Sequence, residues 1–180
     1  ITFNVPSPTE ALHAKTLVSG EKITFNEAAP TTLFVFKTAN ETHVGNIVYM
    51  KVMSGELAEG MDVVNSTNEG KERIAQIFVN SGKTRTKIEK AAAGDIISTI
   101  KLKDVSTNDT LTSTKNIGDK LNEIKFPEPI YTTAIKAVDS ADDEKLGMVL
   151  NEYASNDCSL KVEIARELKQ TTLSAMGEYH

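Results

Sequence analysis

VNSGKTRT, residues 79–86, holds the choice between two folds. Gly82-Lys83-Thr84 is the ending of a phosphate-binding loop, which would make the chain a nucleotide-binding α/β protein. Such a loop needs a glycine, four residues, then Gly-Lys-Ser/Thr, because its first glycine lets backbone N–H groups wrap the phosphates. The position five before Gly82 is Ile77. A β-branched residue does not take the dihedrals that turn requires. A phosphate loop also opens a helix, whereas Thr86–Lys90 is short and soon runs into Gly94. Gly82 therefore reads as a hairpin turn between two strands.

The sequence around it has the same character. Thr32–Lys37 is an apolar run, Gly45–Val52 is rich in β-formers before a turn at Ser54-Gly55, and Met61–Val64 follows Gly60. Over Glu72–Val79 the pattern partly alternates, with Ile74, Gln76 and Phe78 expected on one face and Ala75, Ile77 and Val79 on the other. Asp95–Lys101 follows Gly94. Short strands punctuated by glycine predict a closed β-barrel over residues 31–112. Residues 1–30 read as a linker carrying a short strand pair, Ala14–Val18 with Lys22–Phe25. Residues 113–125 are polar and read as an interdomain linker and hinge.

Past Phe126-Pro127-Glu128-Pro129, stiffened by its prolines, the pattern changes. Ile130–Val138 reads as a strand. Ser140–Asp143 looks like a capping-box start, with acidic residues at the positive helix end. Leu146, Val149, Leu150 and Tyr153 follow at helical spacing. Leu160–Ile164 and Thr171–Met176 alternate as strands. Strand, helix, strand, strand is the opening of a ferredoxin-like (βαββ) unit over residues 126–180, whose second helix is expected near Gly177. With Ile1 in place of a methionine, this predicts a fragment of a longer protein, cut before or within that helix. The fold class expected is mainly β with α+β.

Composition narrows the function. With 39% hydrophobic residues a packed core is within reach. A net charge of −5 excludes a broadly basic nucleic-acid binder and leaves a local basic patch open. The single cysteine, Cys158, rules out an internal disulfide and fits a reducing compartment. No apolar run approaches the roughly 20 residues of a membrane span, and no signal peptide is visible.

Several short matches, taken in order, resemble one family. Pro6-Ser7-Pro8 is similar to the link leaving a G domain. Val44-Gly45-Asn46-Ile47, Ser54-Gly55-Glu56-Leu57 and Gly60 resemble the second, β-barrel domain of translational GTPases. Lys71-Glu72-Arg73-Ile74, Ala93-Gly94-Asp95-Ile96 and Asn108-Asp109-Thr110-Leu111 continue the likeness, the last resembling the family's Gly-Asp-Thr-Leu. Pro127-Glu128-Pro129, Glu144-Lys145-Leu146 and Gly177-Glu178-Tyr179-His180 resemble the third domain of elongation factor G. The chain departs from the family at Asn80–Arg85, where members often carry His-Ala-Asn before an arginine. Asn46 stands for a common arginine, Ala175 for a glycine, Tyr179 for a leucine and Cys158 for a proline.

The resemblance implies domain II and part of domain III of an elongation factor G-like protein. Its GTPase, with GTP and magnesium, would lie in a preceding G domain, and this fragment would do no chemistry. Domain II would dock on small-subunit ribosomal RNA. Domain III would relay the nucleotide state during translocation or ribosome recycling. The expected partners are the ribosome, through small-subunit RNA and proteins, and the parent's own G domain. The expected setting is cytoplasmic and monomeric, with no membrane. The alternative is the same fragment of a ribosomal protection factor of the tetracycline-resistance type or of a divergent paralogue, which share this architecture.

Lys37, Lys51, Lys71, Arg73, Lys83 and Arg85 are the candidate RNA contacts, set against the alternative of a solvated charged surface. Phe34, Phe36, Tyr49 and Phe78 have the chemistry to stack bases, but on barrel strands they read as core. Glu178-Tyr179-His180 invites a metal or acid–base reading, but His13 and His43 are remote in sequence and a structural role is expected. Cys158 reads as a packed or half-exposed thiol, and Asp142, Asp143 and Glu144 as helix-start charges. A freestanding enzyme would need a convergent acid, base and nucleophile, which the chain does not offer. A generic nucleic-acid-binding barrel would bind free single strands with steep salt dependence.

Overall fold

The centre of the fold is a ten-residue strand, β4 (Gly45–Ser54), whose alternation sorts its side chains to two faces. Val48, Met50 and Val52 are fully buried on one face, while Tyr49 and Lys51 are only half-buried on the other. In the computed structural model of the protein, residues 15–16, 18, 20, 22–23, 26–41, 44–113, 120–165 and 170–180 are described. The Pro6–Pro8 link, His13, His43 and residues 114–119 of the polar stretch fall outside them. The chain divides into two units, Ile1–Ile124 and Lys125–His180.

Strand β3 (Thr32–Glu41) pairs antiparallel with β4, with register shifts between Thr32 and Leu33 and between Val35 and Lys37. The second shift is a β-bulge at Phe36. Strict alternation would send Lys37 inward with Leu33 and Val35. The extra residue reverses the parity, so Lys37 lies opposite Tyr49 on the outer face and Thr38, opposite Val48, turns inward.

Further strands extend this pair into one curled sheet. They are β6 (Met61–Asn65), β7 (Lys71–Ile74), β8 (Ile77–Ser81), β9 (Thr84–Ile88), β11 (Ile96–Ile100) and β12 (Thr110–Thr112). Their order is β7-β6-β12-β3-β4-β11-β8-β9. A separate two-stranded ribbon pairs β5 (Glu56–Ala58), which leads into β6, with β10 (Lys90–Ala92), which leaves β9. The ribbon thus joins the two flanks of the sheet. Leu33, Val35, Leu57, Val63, Ile74, Ile77, Ile97 and Leu111 pack with the inner residues of β4 in one core. Burying each such side chain contributes about 2 kcal/mol.

Glu72–Val79 is a correction to the sequence reading. It is two strands, not one, and Ile74 and Ile77 both point into the core. The chain breaks at Ala75-Gln76, where the buried Thr99 hydroxyl donates to the Gln76 carbonyl at 2.7 Å. Phe78 is consequently on the outer face, opposite Ser98.

A second apolar cluster forms on the outer side of the sheet, where Leu121 packs with Phe34 and Met53, flanked by Ile23 and Phe36. Ile23 belongs to a short pair, β1 (Lys15–Thr16) with β2 (Lys22–Ile23). The segment after β12 returns to the same unit. Leu121 N–H donates to the Thr110 hydroxyl at 3.0 Å. The Asn108 side chain holds both backbone groups of Ile124, donating to its carbonyl at 3.0 Å and accepting from its N–H at 2.9 Å. Asn108 itself has φ +78°, the left-handed conformation that explains a glycine at this place in the family pattern. Asp109 accepts from Ser106 N–H and the Asn65 amide, both at 2.8 Å, so every residue of Asn108–Leu111 has a structural task.

In the second unit, β13 (Tyr131–Ile135), β14 (Lys161–Ala165) and β15 (Gln170–Ala175) form an antiparallel sheet in the order β13-β15-β14. A 3₁₀ turn (Ser140–Asp142) leads into α1 (Asp143–Asn156). This βαββ order with its late strand in the middle is the ferredoxin-like arrangement. Asp142, the residue before α1, makes no side-chain cap bond, and the Ser140 side chain of the expected capping box lies outside the described ones. Instead Asp139 accepts from Ala141 N–H at 3.1 Å, ahead of the 3₁₀ turn. Of the four apolar helix positions, Leu150 is buried and Leu146 half-buried, whereas Val149 and Tyr153 are exposed.

Candidate nucleic-acid interface

The outer face of β3, β4, β11, β8 and β9 is built by cross-strand pairing. Lys37 lies opposite Tyr49, Tyr49 opposite Ser98, Ser98 opposite Phe78, and Phe78 opposite Lys87. Two residues along, Asn80 faces Arg85. Gly82 and Lys83 form the two-residue hairpin loop between Ser81 and Thr84, as the sequence predicts. Gly82 at φ +57° is the first loop residue, the type II′ arrangement whose twist matches that of the strands.

Arg85 organises the hairpin side of this face. Its Nη2 donates to both carboxylate oxygens of Glu41, at 3.2 and 3.1 Å. Its guanidinium carbon stands 5.9 Å from the Phe78 ring centroid, within cation–π range. Tyr49 is tilted against Phe36 at 6.5 Å. Asn80 accepts from the Ser98 hydroxyl at 3.1 Å. Glu41, Tyr49, Asn80, Lys83, Thr84 and Arg85, with Gly82, line a cleft of about 490 Å³.

The six candidate cations divide into groups. Lys37, Lys83 and Arg85 share this face, and Lys51 lies on the same side of β4. Lys71 and Arg73 are on the outer side of β7, at the other end of the strand order, where Arg73 faces Asp62 at 4.0 Å. Among the described residues Lys37, Lys71 and Lys83 have no ion-pair partner. Sequence reasoning missed Lys87 and Glu41. Lys87 stands two residues beyond Arg85 on the same face and pairs with Glu59 at 2.7 Å. That spacing was visible, but the Glu41–Arg85 pairing joins residues far apart in sequence. The aromatic residues correct another expectation. None of Phe34, Phe36, Tyr49 and Phe78 belongs to the central core, and only Phe34 is buried, in the outer cluster.

In the second unit, His180 uses both ring nitrogens. Nδ1 accepts from Met176 N–H at 3.2 Å, and Nε2 meets the Asp157 carboxylate at 3.1 Å. The other Asp157 oxygen accepts from Ser159 N–H at 2.8 Å and from its hydroxyl. These Ser159 bonds, with a smaller contribution from His180, hold the Asp157 carboxyl below the usual aspartate range. The arrangement staples the end of β15 to the C-terminus of α1. Cys158 is exposed rather than packed. No helix among the described residues is long and apolar enough to cross a membrane.

A curled barrel followed by a βαββ unit, with the Asn-Asp-Thr-Leu turn in place, is the pairing of a translation factor's second and third domains. Residues 30–114 match the family model described as elongation factor G domain 2, and residues 126–180 match that of elongation factor G, domain III. The two matches follow one another along most of the chain, which belongs to the elongation factor G family. Its fold is similar to a crystal structure of a Thermus thermophilus protein, with a TM-score of 0.71 and 23% identity. That likeness covers 83% of this chain and 23% of the Thermus protein, so the chain spans under a quarter of its length.

Proposed function

We propose that this chain is the non-catalytic middle of an elongation factor G-like GTPase, whose nucleotide site lies in a separate G domain. The barrel docks on small-subunit ribosomal RNA through its outer face, with Lys37, Lys51, Lys83 and Arg85 on the β3–β9 side and Lys71 and Arg73 apart from them on β7. Domain III carries the nucleotide state onward during translocation or recycling, and the hinge expected over 113–125 is narrowed to the chain past Ile124, because Leu121 and Ile124 are bonded into the first unit. The observation that supports this best is the pair of consecutive matches to domain 2 and domain III. Lysines without acidic partners on a chain of net charge −5 support a local phosphate-binding face.

Sedimentation with purified small subunits at increasing salt tests the reading. The expected result is binding to small subunits, weak binding to free oligonucleotides, and a salt slope that falls by about 1 for each phosphate-contacting lysine removed, as in Lys83→Gln. Equal affinity for subunits and for free single strands would overturn it in favour of a generic nucleic-acid barrel. Micromolar GTP binding by the chain itself would overturn the assignment of the nucleotide site elsewhere.

A further inference from the structure

The cleft at the β8–β9 hairpin has more structure than a phosphate-neutralising surface requires. We infer that it is a subsite for one unstacked RNA nucleotide, with the base against the Arg85–Tyr49 wall and the phosphate at Lys83. The inference rests on the RNA-docking reading above and gives it a location.

Size and shape fit. At about 490 Å³ the cleft is within the range of small-ligand sites, where a few placed polar groups fix orientation. One wall is flat and held in place. The Arg85 guanidinium is fixed by Glu41 on one side and lies over Phe78 on the other. A guanidinium plane is a sequence-tolerant platform for a base. Its Nε is buried without a hydrogen-bond partner, so the guanidinium sits where Glu41 and Phe78 hold it rather than where its own donors are best satisfied. Tyr49 supplies aromatic surface next to it.

The polar groups are of the right kinds. Because the Asn80 Oδ1 accepts from Ser98, the amide NH₂ is the group left to face the cleft. The Glu41 carboxylate retains acceptor capacity beyond its bonds to one arginine nitrogen. Both groups line the cleft, so a donor and an acceptor are available to a base edge there. Since Glu41 already offsets the Arg85 charge, the cleft interior is poorly suited to a bare phosphate. The phosphate falls to Lys83 at the rim, which has no acidic partner among the described residues. Gly82 leaves the approach open, for a Cβ there would meet nothing within 4 Å.

The test is amide NMR titration of the 180-residue chain with adenosine 5′-monophosphate, ribose 5-phosphate and inorganic phosphate. Saturable shifts are expected at Gly82, Lys83, Thr84 and the Asn80 side-chain amide. Adenosine 5′-monophosphate should bind about tenfold or more tightly than ribose 5-phosphate, the contribution of one stacked base. Arg85→Met, which keeps an apolar stem over Phe78, should abolish that ratio while leaving the core amide spectrum in place. Equal affinity for the three probes would overturn the base subsite and leave an anion site. A silent cleft with intact small-subunit binding would overturn this inference alone, and loss of both would overturn the docking reading as well.

Discussion

Gly55→Ala provides the sharpest test of how the barrel is held together. Gly55 follows β4 with φ +73°, and a Cβ built on it would lie 2.6 Å from Thr31 Cα, 2.7 Å from Thr31 N and 2.7 Å from the Ala29 carbonyl oxygen. All three are backbone atoms and cannot rotate away. The same corner is stitched by Gly55 N–H to the Asn26 carbonyl, Ser54 hydroxyl to the Pro30 carbonyl, and Thr31 hydroxyl to the Glu56 carbonyl, each at 2.7 Å. The left-handed backbone costs a non-glycine residue about 1–2 kcal/mol. Forcing the packed backbone apart adds about 1–3 kcal/mol. Loss of the stretched Asn26 bond adds about 1 kcal/mol. The total is about 3–6 kcal/mol, a large share of the roughly 5–15 kcal/mol that holds a domain folded. Gly82→Ala is the internal control. It shares the positive φ but meets open space, so it should cost only about 1–2 kcal/mol. Equilibrium unfolding in urea, followed through resolved amide signals of β4 so that only the first unit is read, measures both. A Gly55→Ala cost no greater than that of Gly82→Ala would refute the packing argument.

Two further outcomes follow from the described bonds. Asn108→Gly should lose only the side-chain bonds to Ile124, whereas Asn108→Ala should cost about 1 kcal/mol more because alanine resists φ +78°, as urea midpoints of the two variants would reveal. Asp157, with its carboxyl held low chiefly by Ser159, stabilises the folded second unit while ionised. That contribution is fully present above about pH 3.9, where free aspartate titrates, and is lost as pH falls through the lower folded value. Asp157→Asn should therefore flatten the acid limb of the second unit's stability, and an unchanged limb by circular dichroism would refute the assignment.

Much of the fold was legible because most strands announce themselves locally. Gly45–Val52 alternates, Gly82 sits in a turn-forming context, and the helix and strands after Phe126 each have their own period. What escaped depends on events that leave little trace in sequence. The bulge at Phe36 reverses which side Lys37 faces, yet Thr32–Lys37 reads as an undivided apolar run. The break at Ala75-Gln76 is fixed by Thr99, from a strand more than 20 residues on. At the candidate site, the individual basic residues were legible and their company was not. Arg85 gains its geometry from Glu41, and Phe78 lies under it only because the strand break turned that ring outward.

Asn108 grips Ile124 by both backbone groups, and this has a mechanical consequence. A pull on the chain beyond Ile124 loads two bonds at once, so they must rupture together rather than peel in turn. Behind them the Thr110 hydroxyl holds Leu121, and Thr110 lies on β12, between β3 and β6 rather than at a free margin. Load is therefore delivered to the middle of the sheet. The barrel acts as an anchor block, and any slack in the tether begins past Ile124.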